Sequence, residues 1–264
     1  MSYPRLPDAS LASDTRASKP TLSTVSPDRQ SLRATPLTRK YEIAGLTPSG
    51  HRIDTTVTAP ATPDFETAFA SYARGTLIPT EYGPTAVEDL EPGMEIETVD
   101  NGLQKLLWIG SMQVFPDMPG LNNDDSRLIR ISADTFGIGR PMPDLMLGPR
   151  ARMLFKHQGC TTMFGTPSAF APARAFVDGV NLIDIRPVTP VRTYHLAFYG
   201  QQTLRANGVE TESFHPGESA DQMMDRASWD VFTGLFPHVR NMADFGPMPL
   251  PRITAFEFEG MRAA

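Results

Sequence analysis

A chain of 264 residues is long enough for one large domain or two small ones, with a core that needs no disulfide. Hydrophobic residues at 40% and charged residues at 20% place it among globular proteins, and the single cysteine, Cys160, excludes an intramolecular disulfide and a multi-cysteine zinc site. The net charge of −6 joins a basic opening forty residues to an acidic remainder, which has no electrostatic reason to seek nucleic acid. No run of eighteen apolar residues offers a membrane span, and no apolar leader opens the chain. The expectation is a cytoplasmic protein, with export by a C-terminal or unconventional signal left open. Proline is the outlier at 25 residues, about twice the usual share, which argues against a helix bundle and for loops, turns and edge strands.

Residues 1–40 are rich in Ser, Thr and Pro without apolar periodicity and read as a disordered tail. Residues 41–63 read as a hairpin lead-in, with β-branched runs at 41–46 and 52–59 around Pro48-Ser49-Gly50, stopped by Pro60 and Pro63. Residues 64–72 predict a short helix with Asp64 as N-cap and Phe65, Ala68 and Phe69 on one face. From Gly75 to Phe214, Gly and Pro break the chain into β-like runs at 76–79, 94–99, 106–109, 128–131, 153–155, 169–172, 182–185, 193–198 and 203–206. Short strands at roughly ten-residue spacing predict a mainly β body of sandwich or barrel type. Beyond residue 217 lies a C-terminal extension, in which 219–236 reads as the clearest helix. Ser219 and Gln222 suggest a capping box, Met224, Ala227, Val231 and Leu235 form a stripe with Phe232 beside it, and Pro237 ends the run.

One set of motifs carries more than fold class. Phe69-Ala70-Ser71-Tyr72-Ala73-Arg74-Gly75-Thr76 is followed by Val87-Glu88-Asp89-Leu90-Glu91-Pro92-Gly93-Met94 and by Leu107-Trp108-Ile109-Gly110. Residues 144–155, then Phe170-Ala171-Pro172-Ala173-Arg174-Ala175-Phe176-Val177-Asp178, then 194–217 with Glu212-Ser213-Phe214-His215-Pro216-Gly217 complete the series. In this order and spacing they resemble a bacterial Hint domain, the hedgehog/intein-type autoprocessing module, over residues 64–217. The resemblance implies a mainly β fold whose ends meet at one site. It also implies a reaction in which a nucleophile attacks the carbonyl before it and turns an amide into a thioester or ester.

On that resemblance Ser71 holds the nucleophile position, where active members mostly carry Cys. A hydroxyl needs an adjacent base, and the other reading of Ser71 is a small polar residue at a turn. Active relatives read Ser-Pro-Gln-His or Thr-x-x-His in the central block, whereas this chain reads Gly148-Pro149-Arg150-Ala151. Arg150 and Arg152 cannot shuttle protons, because a guanidinium stays charged; they bind an anion or sit in a salt bridge. Tyr199 and Gln201 stand where the family often has Asp and His. His195 remains, either assisting Ser71 or serving as a hydrogen-bonded structural histidine. Glu212-Ser213 replaces the terminal Asn of splicing inteins, so splicing is not expected.

The expectation is therefore a catalytically eroded Hint module kept as a structural or binding module for a protein or peptide partner. Its alternative is slow serine-dependent self-cleavage between Ala70 and Ser71; a third reading places an interaction surface in residues 218–264. No cofactor or metal is expected. His51, His157, His195, His215 and His238 never fall at zinc spacing, and Asn122-Asn123-Asp124-Asp125 lacks the EF-hand pattern. Gly137-Ile138-Gly139 lacks a dinucleotide-site context, and Cys160 reads as a buried or loop thiol. Oligomeric state stays open.

Overall fold

Strands begin earlier than the composition of the tail suggests. The computed structural model describes residues 37–116 and 126–263; the expected tail up to residue 36 and the Asn122–Asp125 loop lie outside them. β1 (Thr38–Leu46) and β2 (Arg52–Pro60) form the lead-in hairpin, so Arg39 and Lys40 are strand residues rather than tail. Arg39 is held in place by a buried ion pair to Glu66, at 2.7 Å. Glu66 belongs to α1 (Pro63–Glu66), a single turn whose N-cap is Thr62 rather than Asp64, with Pro63 opening the helix where a missing N–H costs nothing.

The body follows as short strands. β3 (Tyr72–Ala73), β4 (Leu77–Thr80), β5 (Gly83–Ala86), β6 (Glu95–Thr98), β7 (Gly102–Lys105) and β8 (Trp108–Val114) occupy its first half. β9 (Leu128–Ile131), β10 (Leu145–Leu147) and β11 (Arg152–Lys156) lead to α2 (Gln158–Phe164). β12 (Ser168–Pro172), β13 (Leu182–Ile185), β14 (Val191–Ala197), β15 (Thr203–Ala206) and β16 (Val209–Glu212) complete the set. One sheet runs in the order β13-β9-β10-β3-β14-β8-β1-β2, the other β12-β11-β16-β15-β6-β4-β5 with β7 beside β6.

The two-residue period of a strand decides where the cores lie. β8 and β14 are buried almost throughout, so each must be covered on both faces. Ile109, Tyr194 and Leu196 face a core to which both sheets contribute, with Ile78, Ile129, Leu147 and Leu204. Trp108, Met112 and Ala197 face a second core with Tyr41, Phe69, Phe214, Phe232 and Phe236. That second core is built by the lead-in and the C-terminal extension, which share one face of the first sheet.

The C-terminal extension departs from its predicted helix. Residues 219–236 form two short helices, α3 (Ala220–Met223) and α4 (Arg226–Thr233). Asp225 interrupts them because its carboxylate takes the Ser228 amide at 3.0 Å and the Ser228 hydroxyl at 2.6 Å, a local bond that competes with helix continuation. Ser219 makes no side-chain cap bond, and the buried face is Phe232, Leu235 and Phe236, leaving Ala227 and Val231 exposed. Asp225→Ala is expected to cost about 1 kcal/mol in urea unfolding, against almost nothing for Ser219→Ala. The chain then pairs residues 251–253 alongside Phe170 and ends in α5 (Ala255–Ala263), whose Phe258 and Met261 cover Cys160, Ala169 and Ala171.

Candidate active site

Ser71 sits at the turn into β3 and is fully buried. Backbone groups hold the peptide bond before it at both its N–H and its C=O, and hold the one after it at its carbonyl. The Ser71 amide donates to the Tyr194 carbonyl at 3.1 Å, the Gly148 amide donates to the Ser71 carbonyl at 2.7 Å, and the Arg150 amide donates to the Ala70 carbonyl at 3.0 Å. Gly148 lies so close that a Cβ there would fall 2.4 Å from the Ala70 oxygen and 2.7 Å from its carbon. A hydroxyl side chain at 148, as active relatives carry, therefore needs the backbone to move.

The Ser71 hydroxyl has no hydrogen-bond partner. It lies beside the Tyr72 phenol, closely enough to bear on its ionisation, without completing a bond. That phenol instead donates to the Glu212 carbonyl at 3.1 Å and meets the Thr211 hydroxyl at 2.9 Å. Burial raises its pKa above the ordinary tyrosine value, so Tyr72 keeps its proton.

His195 lies in β14, buried, with its ring edge-on to Tyr72 and Phe214. Its Nδ1 is 2.9 Å from the Thr67 carbonyl oxygen and its Nε2 is 3.4 Å from that of Glu212. Burial lowers its pKa from 6.5 to about 4, so the imidazole is neutral and carries one N–H. The shorter contact assigns that proton to Nδ1, donating to Thr67. The Nε2 lone pair then faces a carbonyl oxygen rather than the Ser71 hydroxyl, and the ring ties the lead-in to β14 and the end of β16.

The central block supplies backbone rather than side-chain chemistry. Ala151, where relatives have an imidazole, is buried in the main core. Arg150 reaches the Ala70 carbonyl through its amide. Arg152 spends its guanidinium on the Ile253 carbonyl at 3.3 Å and on buried Glu212 at 3.8 Å, so the anion it meets is internal. Glu212 also binds Arg252 at 2.8 Å and accepts from Gln201. Gln201, in a position where relatives carry His, takes the Leu250 amide at 3.0 Å on its side-chain oxygen. Gln201 and Arg152 thus reach the C-terminal extension at Leu250 and Ile253. Arg150, Arg152 and Gln201 were visible in the sequence as departures from a motif, whereas Glu212 and Arg252, forty residues apart, became partners only in the fold.

The remaining histidines make local contacts. His157 caps α2 by accepting from Gly159, and His215 accepts from Gly217 while its other nitrogen meets the Gly246 carbonyl. His51 bonds Ser49 at the hairpin turn, and His238 is packed between Phe236 and Phe245. Cys160 is a buried thiol against Met261, and burial raises its pKa. Gly137-Ile138-Gly139 is a turn whose isoleucine is fully exposed. Among the described residues no cluster of three His, Cys, Asp or Glu side chains is placed to hold a metal, and no helix is long and apolar enough to cross a membrane.

The motifs, the two sheets and the buried serine at a gripped peptide bond define an autoprocessing-type β module. The sequence profile of the Hint domain matches residues 70–218, and the chain belongs to that family. Two solved structures are similar over 55% of this chain. One is a bacterial intein-like domain from Clostridium thermocellum, at 11% identity and a TM-score of 0.39, covered over 99% of its length. The other is the AceL NrdHF class 3 split intein in a GSH-linked splice-inactive variant, at 12% identity and a TM-score of 0.37, covered over 97%. No curated protein matches the chain.

Proposed function

We propose that this chain is a Hint module in which the frame of a peptide-cleaving site persists after its proton-moving chemistry has lapsed, and that it serves as a structural or binding module. The observation that carries this reading is the Ser71 hydroxyl, buried and without a base in hydrogen-bond contact, next to a peptide bond held at both its N–H and its C=O by backbone hydrogen bonds. Attack by a hydroxyl needs a base within hydrogen-bond reach, and both His195 nitrogens face carbonyl oxygens. Losing one general acid–base group costs about 10²–10⁴ in rate, and a second loss need not multiply it. The lead-in would also stay docked after a cut. Tyr41, Phe65 and Phe69 share a core with Trp108 and Phe236, so a cut before Ser71 leaves two fragments holding each other.

A second reading, slow serine-dependent self-cleavage at Ala70–Ser71, draws on one observation. The Arg150 amide, 3.0 Å from the Ala70 oxygen, is placed as a donor for a developing oxyanion. Incubation for days with hydroxylamine or a strong thiol near pH 8 separates the two. Because the fragments would stay together, the readout is denaturing mass spectrometry rather than a native gel. The expected result is the intact mass throughout. A clean break before Ser71, absent in Ser71→Ala and faster in Ser71→Cys, would overturn the proposal.

A further inference from the structure

Where the lead-in hairpin meets the 3-10 turn Val87–Asp89, the surface carries a trough of about 660 Å³. It continues past Tyr194 into a second hollow of about 520 Å³, walled by Arg74, Gln113 and Pro190. Glu88, Asp89, Arg192 and Tyr194 border both, so the two form one channel. The first hollow forms where the hairpin, which lies outside the family match, stands against the Hint body.

Its floor is apolar, with Ala44, Leu90 and Ile109, and its rim is charged. Ion pairs neutralise most of that rim: Glu42 with Arg192, Arg52 with Asp54 and Glu91, and Arg74 with Glu88. Five carboxylates nevertheless meet three guanidiniums, and exposed Asp89 has no partner among the described residues. At the centre stands Tyr194. The residue is only 8% exposed, yet its hydroxyl makes no hydrogen bond among the described residues while lining both hollows. The body of the residue is buried while the hydroxyl opens onto both hollows, so a fixed donor, uncommitted to the rest of the described fold, is presented to whatever lies in the channel.

We infer that this channel binds a basic peptide segment in extended form. Lysine or arginine stems lie along the apolar floor with their charged heads at Asp89 and the acidic rim, as long cationic side chains do on amphipathic surfaces. The Tyr194 hydroxyl donates a hydrogen bond to a peptide carbonyl. A single small cation satisfies the rim but leaves most of a channel this long empty; one drug-sized ligand typically fills about 300–1,000 Å³. The inference stands apart from the fate of Ser71, since it uses the Tyr194 side chain and not the backbone carbonyl that takes the Ser71 amide.

The test is fluorescence anisotropy on the full chain with a fluorescein-labelled, end-capped (Lys-Ala)3 peptide, its Glu counterpart and free spermidine as competitor. The Lys peptide is expected to bind in the micromolar range and to weaken with added salt. Tyr194→Phe is expected to weaken binding about 5-fold and Asp89→Lys about 10-fold, both at unchanged thermal midpoint. No binding up to about 1 mM, equal binding of the Glu peptide, or wild-type affinity in Asp89→Lys would overturn the proposal. Displacement by spermidine at the concentration of unlabelled peptide would overturn its peptide part. Asp89 is on the exposed rim, so its variant keeps the test decisive if Tyr194→Phe folds poorly.

Discussion

Gly110→Ala is expected to destabilise the fold by about 3 kcal/mol, at the upper end of what one added methyl does in a packed core. Gly110 lies on β8, opposite His195 of β14 and Ile43 of β1. A Cβ there would fall 2.2 Å and 2.5 Å from two ring carbons of Trp108 and 2.6 Å from a ring carbon of Phe69. Neither ring can retreat. The Trp108 indole N–H donates to the Leu235 carbonyl at 2.8 Å, and Phe69 is wedged between Tyr41 and Trp108 at centroid distances of 4.3 and 5.3 Å. Trp108→Ala, which instead removes the ring that joins Phe69, Phe214 and Phe236, is expected to cost about 3–5 kcal/mol. Urea unfolding checks both through a lowered midpoint at unchanged slope. A shift in Gly110→Ala equivalent to less than about 0.5 kcal/mol, the range of ordinary surface substitutions, would mean that the rings move aside.

That glycine also explains part of a motif. Trp108-Ile109-Gly110 was legible as a family signature, and the structure supplies its reason: the tryptophan folds back over the residue two positions on, leaving no room for a side chain. Strand positions were legible because Gly and Pro mark their ends; β9, β13 and β15 fall at 128–131, 182–185 and 203–206, as the sequence predicts. The 219–236 helix was misread because an apolar stripe outweighed Asp225, whose local bond to Ser228 ends one helix and starts another. α5 was overlooked although its signal was present. Thr254 and Glu257 form a reciprocal capping box, the Thr254 hydroxyl accepting from the Glu257 amide at 3.2 Å and the Glu257 carboxylate accepting from the Thr254 amide at 2.7 Å.

The site was half legible. Motif spacing singles out Ser71, Ala151 and Gln201 as positions to inspect. What the site's residues contact was not readable, because it depends on pieces far apart in the chain. Gln201 reaches Leu250, Glu212 reaches Arg252, and Gly148 presses on Ala70. Gln201 therefore ties the body to the C-terminal extension, so placing an imidazole at 201 also removes a tether.

Acidification is expected to remove a large share of the stability through buried histidines, ahead of the carboxylates whose pKa values the fold lowers. Burial lowers the pKa of His195 and of His238 from 6.5 to about 4 each, and that of His215 by less. For His195 the contacts to Thr67 and the charge of Glu212 oppose the shift, as the charge of Asp244 does for His238, and in both burial wins. Each ring is neutral in the fold and takes a proton when the chain unfolds at any pH between those values. The unfolded state therefore binds more protons in this window, and stability rises with pH. The histidine contribution is fully present above about pH 6.5 and is lost as pH falls to about 4. That gap is worth on the order of 3 kcal/mol for His195 and somewhat less for the partly exposed His238. Set against a total of about 5–15 kcal/mol for a typical domain, this is enough to bring the fold near its limit. The carboxylates of Glu88, Asp144, Asp178, Asp225 and Glu257, whose pKa values are lowered, withdraw their support only further down, as pH falls below the ordinary carboxylate range. Urea midpoints at pH 7, 5.5 and 4.5 should therefore fall steadily. His238→Phe removes one of the titrating groups, and with it two ring nitrogens that have no hydrogen-bond partner. It should flatten the profile by close to one proton and raise the midpoint at the lowest pH. A midpoint that stays level from pH 7 to 4.5 would mean that these rings are already charged, or already solvated, in the folded chain.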